Sequence, residues 1–205
     1  MKQLEKKSIE EFNKWAKGYD SSRGKFFFVR ANMSLKKYIG NEKASLLDVG
    51  CGTGILLEQL LTKKNLKLYG IDISPKMARI AQEKFRGLSK VKIKLGSVSH
   101  LLYKSNIFNY VVCSNSFHHH PDSHKSLHEM VRVLKRNGKL IILDGYLDGS
   151  FSSLFWKIEN TLNKEGKVFR YTRDEMKKLF EEAGLKNIKQ TVDQHINLIT
   201  VGIKS

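Results

Sequence analysis

Residues 46–54 read Leu46-Leu47-Asp48-Val49-Gly50-Cys51-Gly52-Thr53-Gly54, an apolar run that ends in an acid and then breaks into alternating glycines. The helical pattern Ile55-Leu56-Leu57-Glu58-Gln59-Leu60-Leu61 follows at once. A strand, a glycine turn and a helix in that order form a cradle for a nucleotide-like cofactor. Glycines let the main chain approach the ligand, and the helix start offers N–H groups without intrahelical partners. The spacing then narrows the ligand. A dinucleotide fingerprint needs G-x-G-x-x-G/A, whereas the sixth position counted from Gly50 is Ile55. The pattern here is Asp-x-Gly-x-Gly-x-Gly.

Outward from this stretch, strands and helices alternate. Strands are expected at 44–49, 67–72, 91–96, 107–114 and 138–144, with helices at 54–64, 75–86 and 122–136 between them. Ser74 reads as an N-cap and Pro75 as the first helical residue. Such alternation with short links implies a mostly parallel sheet covered on both faces. Two helices precede it, at 2–17 and 24–39, as a helical cap over residues 1–40. Thr172 with Glu175 forms a capping box for a helix ending before Gly184, and strands at 186–192 and 195–203 are spaced to pair as an edge hairpin. The stretch 145–170 stands apart. Gly145, Gly149 and Gly166 and three serines surround Phe151, Phe155 and Trp156, an insertion that is a candidate lid.

The 205 residues suffice for one domain with a full core and no staples. Two cysteines, Cys51 and Cys113, both in apolar surroundings, read as small buried thiols rather than a disulfide framework. The opening Met1-Lys2-Gln3-Leu4-Glu5-Lys6-Lys7 has no apolar signal core, and no apolar run is long enough to span a membrane, so a cytoplasmic location is expected. The net charge of +17 raises the question of a polyanion partner. Yet 29 of the 37 cations are lysines, spread along the whole chain, and only eight are arginines, the residue that phosphate and base recognition favours. Lys90, Lys92 and Lys94 alternate with Val91, Ile93 and Leu95 as on a strand with one wet face. A solvated lysine-rich surface is the expected reading.

The segment 46–54 resembles motif I of the class I S-adenosylmethionine (SAM)-dependent methyltransferases, and the resemblance extends over about 40–145 and 171–203. The nearest group is the one that includes the ubiquinone/menaquinone C-methyltransferases. It implies a Rossmann-like α/β fold with a seven-stranded, mostly parallel sheet, helices on both faces and the last strand antiparallel. It also implies SAM as cofactor. Gly50, Cys51, Gly52 and Gly54 would then line the methionine end of SAM, with Asp48 beneath organising the turn. Asp72, closing the strand Leu68-Tyr69-Gly70-Ile71-Asp72, would accept from the ribose hydroxyls, and Ile73 would pack on the adenine. Where the family usually has Gly-Asp after the third strand, this chain has Gly96-Ser97-Val98. Ser97 brings one acceptor without a charge. Asn115 would face the SAM ammonium at the end of the fourth strand. In the N-terminal segment Phe12-x-x-Trp15-Ala16-x-x-Tyr19-Asp20, which resembles the part of the family that closes over the cofactor, Tyr19 would lie near the methionine, with Arg23 or Arg30 opposite its carboxylate.

SAM carries its own activation, so the absence of a catalytic triad excludes nothing. The candidate base lies in His118-His119-His120-Pro121-Asp122, beyond a strand C-terminus where open sheets place ligands. His119 is the first choice and His118 the second. No metal is expected, since consecutive histidines cannot all face one ion and the pair His124/His128 lacks a carboxylate placed as third ligand. The expected activity is methyl transfer to a small molecule, in a pocket made partly apolar by Phe151, Phe155, Trp156, Phe169 and Tyr171. The lysine surplus mildly favours an anionic acceptor. An RNA or tRNA methyltransferase is the alternative, although Ser114-Asn115-Ser116-Phe117 lacks the prolines of the enzymes that methylate exocyclic base amines, and no second RNA-binding module is visible. A second alternative is a SAM-binding partner or regulatory protein without transferase activity.

Overall fold

In the computed structural model, which describes residues 2–21, 23–162 and 168–205, the alternating apolar stretches become seven strands. These are β1 (Ala44–Val49), β2 (Leu66–Asp72), β3 (Val91–Leu95), β4 (Phe108–Ser114), β5 (Leu134–Gly145), β6 (Leu185–Asp193) and β7 (Asn197–Lys204). The helices are α1 (Lys2–Trp15), α2 (Arg23–Leu35), α3 (Ile55–Leu60), α4 (Pro75–Lys84), α5 (Ser123–Val133), α6 (Ser150–Leu162) and α7 (Arg173–Glu182). The strands form one sheet in the order β3-β2-β1-β4-β5-β7-β6. Pairings among β1 to β5 are parallel, and β7 runs antiparallel to β5 and β6. The chain reverses direction across the sheet between β1 and β4, which opens a crevice beyond their C-terminal ends.

The period of two explains why both sheet faces are covered. Leu47, Val49, Val111, Cys113, Leu140 and Ile142 face one way, onto Leu127, Met130 and Val133 of α5 and Met176 and Phe180 of α7. Their neighbours Leu46, Leu68, Tyr110, Val112, Ile141 and Leu143 face the other way, onto Ala31 and Leu35 of α2 and Leu56, Leu57 and Leu60 of α3. A one-residue slip in any strand would exchange the two sets. The caps form as their chemistry dictates: Ser74 accepts from Met77 N–H, Thr172 and Glu175 close a reciprocal box, and Gly184 takes φ +81°.

Several boundaries differ from the sequence expectation. The helix expected over 122–136 ends at Val133, and β5 begins at Leu134 rather than 138. Leu134 is fully buried opposite Phe108, and the next pair is Tyr110 with Lys139, so β5 carries a bulge. Asn137 at φ +61° and Gly138 make that bulge; a Cβ on Gly138 would lie 2.8 Å from the Lys135 carbonyl oxygen. Apolar Val133-Leu134 suits a helix face or a strand equally, so periodicity could not separate them. The helix expected over 54–64 ends at Leu60, and α2 stops at Leu35 before a 3-10 turn over Lys36–Tyr38.

The 145–170 stretch contains α6, while Gly166 lies outside the described residues. Its aromatics do not make the pocket expected of them. Phe151 and Leu154 are 66% and 58% exposed, with Ile158 on the same outward stripe. Trp156 turns inward instead, its Nε1 donating to the Ile196 carbonyl at 2.9 Å and its ring stacked under the Arg170 guanidinium. Helical spacing pairs Phe151 with Phe155 and Ile158, but cannot say which stripe faces the protein.

Part of the lysine surplus has structural work. Lys63 Nζ donates to the Ile39 carbonyl, Lys90 Nζ to Leu61, and Lys204 Nζ to Val131 and Leu134 at 2.8 and 2.9 Å. Each reaches a carbonyl near the end of a helix or strand, where the regular ladder leaves acceptor capacity unused. Lys204→Met, which keeps the stem and removes the donors, is expected to lower stability by about 1–2 kcal/mol. Urea unfolding would show this as a lower midpoint at unchanged slope.

Candidate active site

A cleft opens above the β1/β4 reversal, lined by the glycine turn, the ends of β2, β3 and β4, and the N-terminal segment. The turn is built from inside. Gly50 N–H and Cys51 N–H both donate to the Ile71 carbonyl, at 2.9 and 3.1 Å, and Gly54 N–H donates to the Cys51 carbonyl at 2.8 Å. Gly52 N–H donates to Asp72 Oδ2 at 2.7 Å. These four donors of the turn are therefore consumed within the protein, whereas the N–H groups expected at the helix start are those from Ile55 onward, in α3.

Each glycine of the turn is required for a different reason. All three have positive φ, from +53° to +84°. A Cβ on Gly50 would fall 2.0 Å from Ser116 Oγ, and one on Gly54 would fall 2.5 Å from the Phe85 ring. A Cβ on Gly52 would meet no atom of the described residues within 4 Å, because that position opens onto the cleft. Gly50 and Gly52 line the cleft, whereas Gly54 is the left-handed residue that starts α3 and packs on α4.

The electrostatics run against the chain's overall charge. Asp48, Asp72 and Glu5 line the cleft, and among the described lining residues there is no lysine or arginine. Asp48 is buried; burial first and the Asp72 charge second push its carboxyl up to about 8, with no donor or cation among the described residues to offset them. Asp72 is also raised by burial, partly countered by the Ser74 and Gly52 N–H groups that its two oxygens accept. Burial pushes the Cys51 and Cys113 thiols well above their usual range, so both are inert protonated side chains. Two buried acids under an open glycine, with no cation in the described lining, suit a ligand with positive charge and hydroxyl donors rather than a pyrophosphate. SAM has those features, and the residues fit it.

The other expected site residues distribute as follows. Tyr19, Ile73, Ser97, Val98 and Asn115 all line the cleft. Tyr19 stacks on Phe28 with ring centroids 5.5 Å apart. Asn115 sits at φ +50°, its N–H donating to the Leu143 carbonyl at 2.7 Å. Arg30 is exposed and does not line the cleft, and the Arg23 side chain lies outside the described residues. Of the histidines, His119 lines the cleft but His118 does not. His118 is turned back into the protein, its Nδ1 2.6 Å from Asp144 Oδ1 and its N–H donating to Asp144 Oδ2 at 2.9 Å. Burial raises the Asp144 carboxyl, but the adjacent His118 ring and its hydrogen bonds outweigh that and hold it low. The second cleft histidine is His120, whose Nδ1 is buried without a hydrogen-bond partner among the described residues and whose pKa burial lowers to about 4. Among the described residues, no three His, Cys, Asp or Glu side chains converge as a metal cage.

The N-terminal segment straps the cleft at the ends of β1 to β4. Glu5 meets Ser97 and Ser99 after β3, and Asn13 Oδ1 accepts from Ser74 Oγ after β2 at 2.8 Å. Phe12 packs edge-on against His119 after β4, and Asp20 accepts from Thr53 Oγ1 after β1 while pairing with Lys84 at 2.8 Å. Glu5, Ser8, Asn32 and Thr53 were not singled out from sequence. Asn32 had a signal, a polar residue between buried Ala31 and Leu35 on the α2 core face, where it accepts from Ser114 Oγ at 2.6 Å. Glu5 had none, being one acid in a lysine- and glutamate-rich helix.

An open parallel sheet with an acidic glycine cradle at its reversal point defines an α/β domain that binds a cationic nucleoside cofactor. Comparison with known proteins gives the family. Residues 47–142 match the methyltransferase domain family. The chain is 30% identical over 171 residues to the demethylmenaquinone methyltransferase of Staphylococcus aureus, covering 70% of this chain and 68% of that one. A SAM-dependent methyltransferase structure from Thermotoga maritima superposes with a TM-score of 0.80 at 17% identity, over 97% of this chain and 100% of that one. A chain from a complex between the Haloferax volcanii Trm112 methyltransferase activator and a methyltransferase also reaches 0.80, at 22% identity over 94% and 97%. The protein belongs to the class I SAM-dependent methyltransferases. It is an enzyme, its cofactor is SAM, and no helix among the described residues is long and apolar enough to cross a membrane.

Proposed function

We propose that this enzyme methylates a small, largely apolar acceptor with an acidic hydroxyl or carbon, and that His119 takes the acceptor's proton. The observation that carries the reading is the strap. Residues 2–21 are fastened over the ends of β1, β2, β3 and β4, and the cleft beneath them is walled by Phe12, Tyr19, Phe28 and His119. Such a site admits a small ring system rather than a folded polymer. The similarity to a demethylmenaquinone methyltransferase supports an acceptor of that kind. The absence of lysine and arginine from the described lining removes the reason to expect an anionic acceptor.

SAM, when bound, supplies an activated methyl group on a sulfonium sulfur. Gly50, Cys51 and Gly52 with Asp48 hold its methionine end, Asp72 its ribose, and Ile73 and Val98 its adenine. Tyr19, Asn32 and Asn115 close the reacting side, and the strap excludes water. Burial first, then its His118, His120 and Arg170 neighbours, hold His119 well below the usual histidine range, so its ring is neutral at pH 7 and a weaker base than an exposed imidazole, suited to an acidic acceptor only. His118, fixed on Asp144, is a positioning residue that sets the 3-10 turn from which His119 projects.

His119→Ala is expected to cut turnover at least about tenfold with SAM affinity kept. The acid limb of the wild-type rate profile should lie well below pH 6.5. If His120→Ala loses the activity and His119→Ala keeps it, the assignment moves to His120. The substrate class is tested by transfer of radiolabelled methyl from SAM into a cell extract, separated into RNA, protein and low-mass fractions. Label in the low-mass fraction is expected. Label that ribonuclease removes would overturn the reading.

A further inference from the structure

The end of β3 poses a problem that the strap solves. Ser97 there has no charge, and its hydroxyl is already engaged: Oγ accepts from Ser99 N–H at 3.2 Å and lies 2.6 Å from Ser99 Oγ. Both hydroxyls point to one carboxylate oxygen, Glu5 Oε1, at 3.2 and 2.8 Å. Glu5 is the third acid of the cleft and comes from α1, some ninety residues away in sequence. The two serines hold Oε1, and among the described residues no donor meets Oε2. The same cleft is lined by Ile71, Ile73, Met77 and Val98, apolar surface suited to a heterocycle, and Val98 follows Ser97 directly in the chain. A slot with apolar walls and a serine-held carboxylate at its end accepts a ring that presents an N–H donor at its rim. The cofactor has one such ring, and its exocyclic donor is the 6-amino group.

We propose that Glu5 reads the adenine 6-amino group of SAM, so that the cofactor's base is recognised by the strap rather than by the sheet. Ser97 and Ser99 serve as positioning residues that hold the carboxylate. This rests on the cofactor placement proposed above and adds a consequence: α1 must be docked for the base to be read. Cofactor and strap therefore stabilise each other, by the same factor in either direction.

The test is a binding cycle on the intact protein with two ligands, S-adenosylhomocysteine and its purine-riboside analogue, which lacks only the 6-amino group. Wild type is expected to bind the analogue about tenfold or more weakly, as for a hydrogen bond to a charged acceptor. Glu5→Ala should bind both ligands with equal affinity, near that of wild type for the analogue. Ser97→Asp in the Glu5→Ala background should restore the preference by returning an acid to the same slot. Thermal unfolding of each variant verifies the fold, and Glu5 is not a core position. A Glu5→Ala protein that keeps the wild-type preference overturns the proposal. So does one that weakens both ligands equally while still preferring the amino group, since Glu5 would then only anchor α1. A wild type that binds neither ligand overturns the cofactor placement itself, a result distinct from either of these.

Discussion

Gly52→Ala is expected to abolish cofactor binding, by at least about a hundredfold in affinity, in a protein that still folds. The effect follows from where the new methyl would go. It would touch no atom of the described residues within 4 Å, so the fold has room for it, and the room is the cleft. The cost to the fold is confined to the backbone, because an alanine at φ +53° is disfavoured by roughly 1–2 kcal/mol. That strain lowers the unfolding temperature by a few degrees in a domain of this size. Gly54→Ala reverses the balance. Its methyl would drive into the Phe85 ring at 2.5 Å, so stability falls steeply, and any loss of affinity follows from the loss of fold. Titration calorimetry with S-adenosylhomocysteine, beside thermal unfolding of both variants, separates the two glycines. A Gly52→Ala protein that binds normally would remove the turn from the cofactor site.

This contrast shows what sequence could and could not supply. The spacing of Gly50, Gly52 and Gly54 after an acid was legible because only glycine tolerates three left-handed residues so close together. Which glycine faces the ligand was not legible, since that depends on Ser116 and Phe85, which arrive from β4 and α4. The strands and their faces were readable from period-two alternation, and the antiparallel β7 followed from the family resemblance. The origin of β5 was hidden by the bulge at Asn137-Gly138, and the outward stripe of α6 by the symmetry of an amphipathic pattern. The histidine run illustrates a harder limit. His118, His119 and His120 are adjacent and chemically equal in sequence. A buried aspartate on β5, Asp144, captures His118 and leaves the next two facing the cleft. Glu5 is harder still, because its meaning comes from two serines more than ninety positions away.

Asp48→Asn is expected to do two opposite things: to stabilise the cofactor-free protein and to weaken SAM binding by about tenfold to a hundredfold at pH 7. In the folded protein the Asp48 carboxyl is raised to about 8 from an ordinary value of 3.8. Between those two values the unfolded chain has lost the proton and the fold has kept it. The unfolded state thus binds fewer protons, and stability falls as pH rises through the window, by up to roughly 1.4 kcal/mol per unit from this group. Asparagine has no proton to lose, so the variant should gain on wild type steadily from pH 4 to 8. A cationic ligand draws on the opposite side of the same balance. It favours the ionised carboxylate, so its binding expels the proton and strengthens with pH. From pH 5.5 to 7.0 the wild-type dissociation constant should fall up to about thirtyfold while that of the variant stays level. The ligand's own amino group titrates above this window, and His119, held well under 6.5, is present in both proteins. Asp72, Cys51 and Cys113, the other titratable neighbours of Asp48, are present in both proteins, so the difference between the two curves isolates Asp48. Parallel curves would place the cofactor's positive charge elsewhere. A variant less stable than wild type at pH 7 would show that the carboxylate has a partner within the fold.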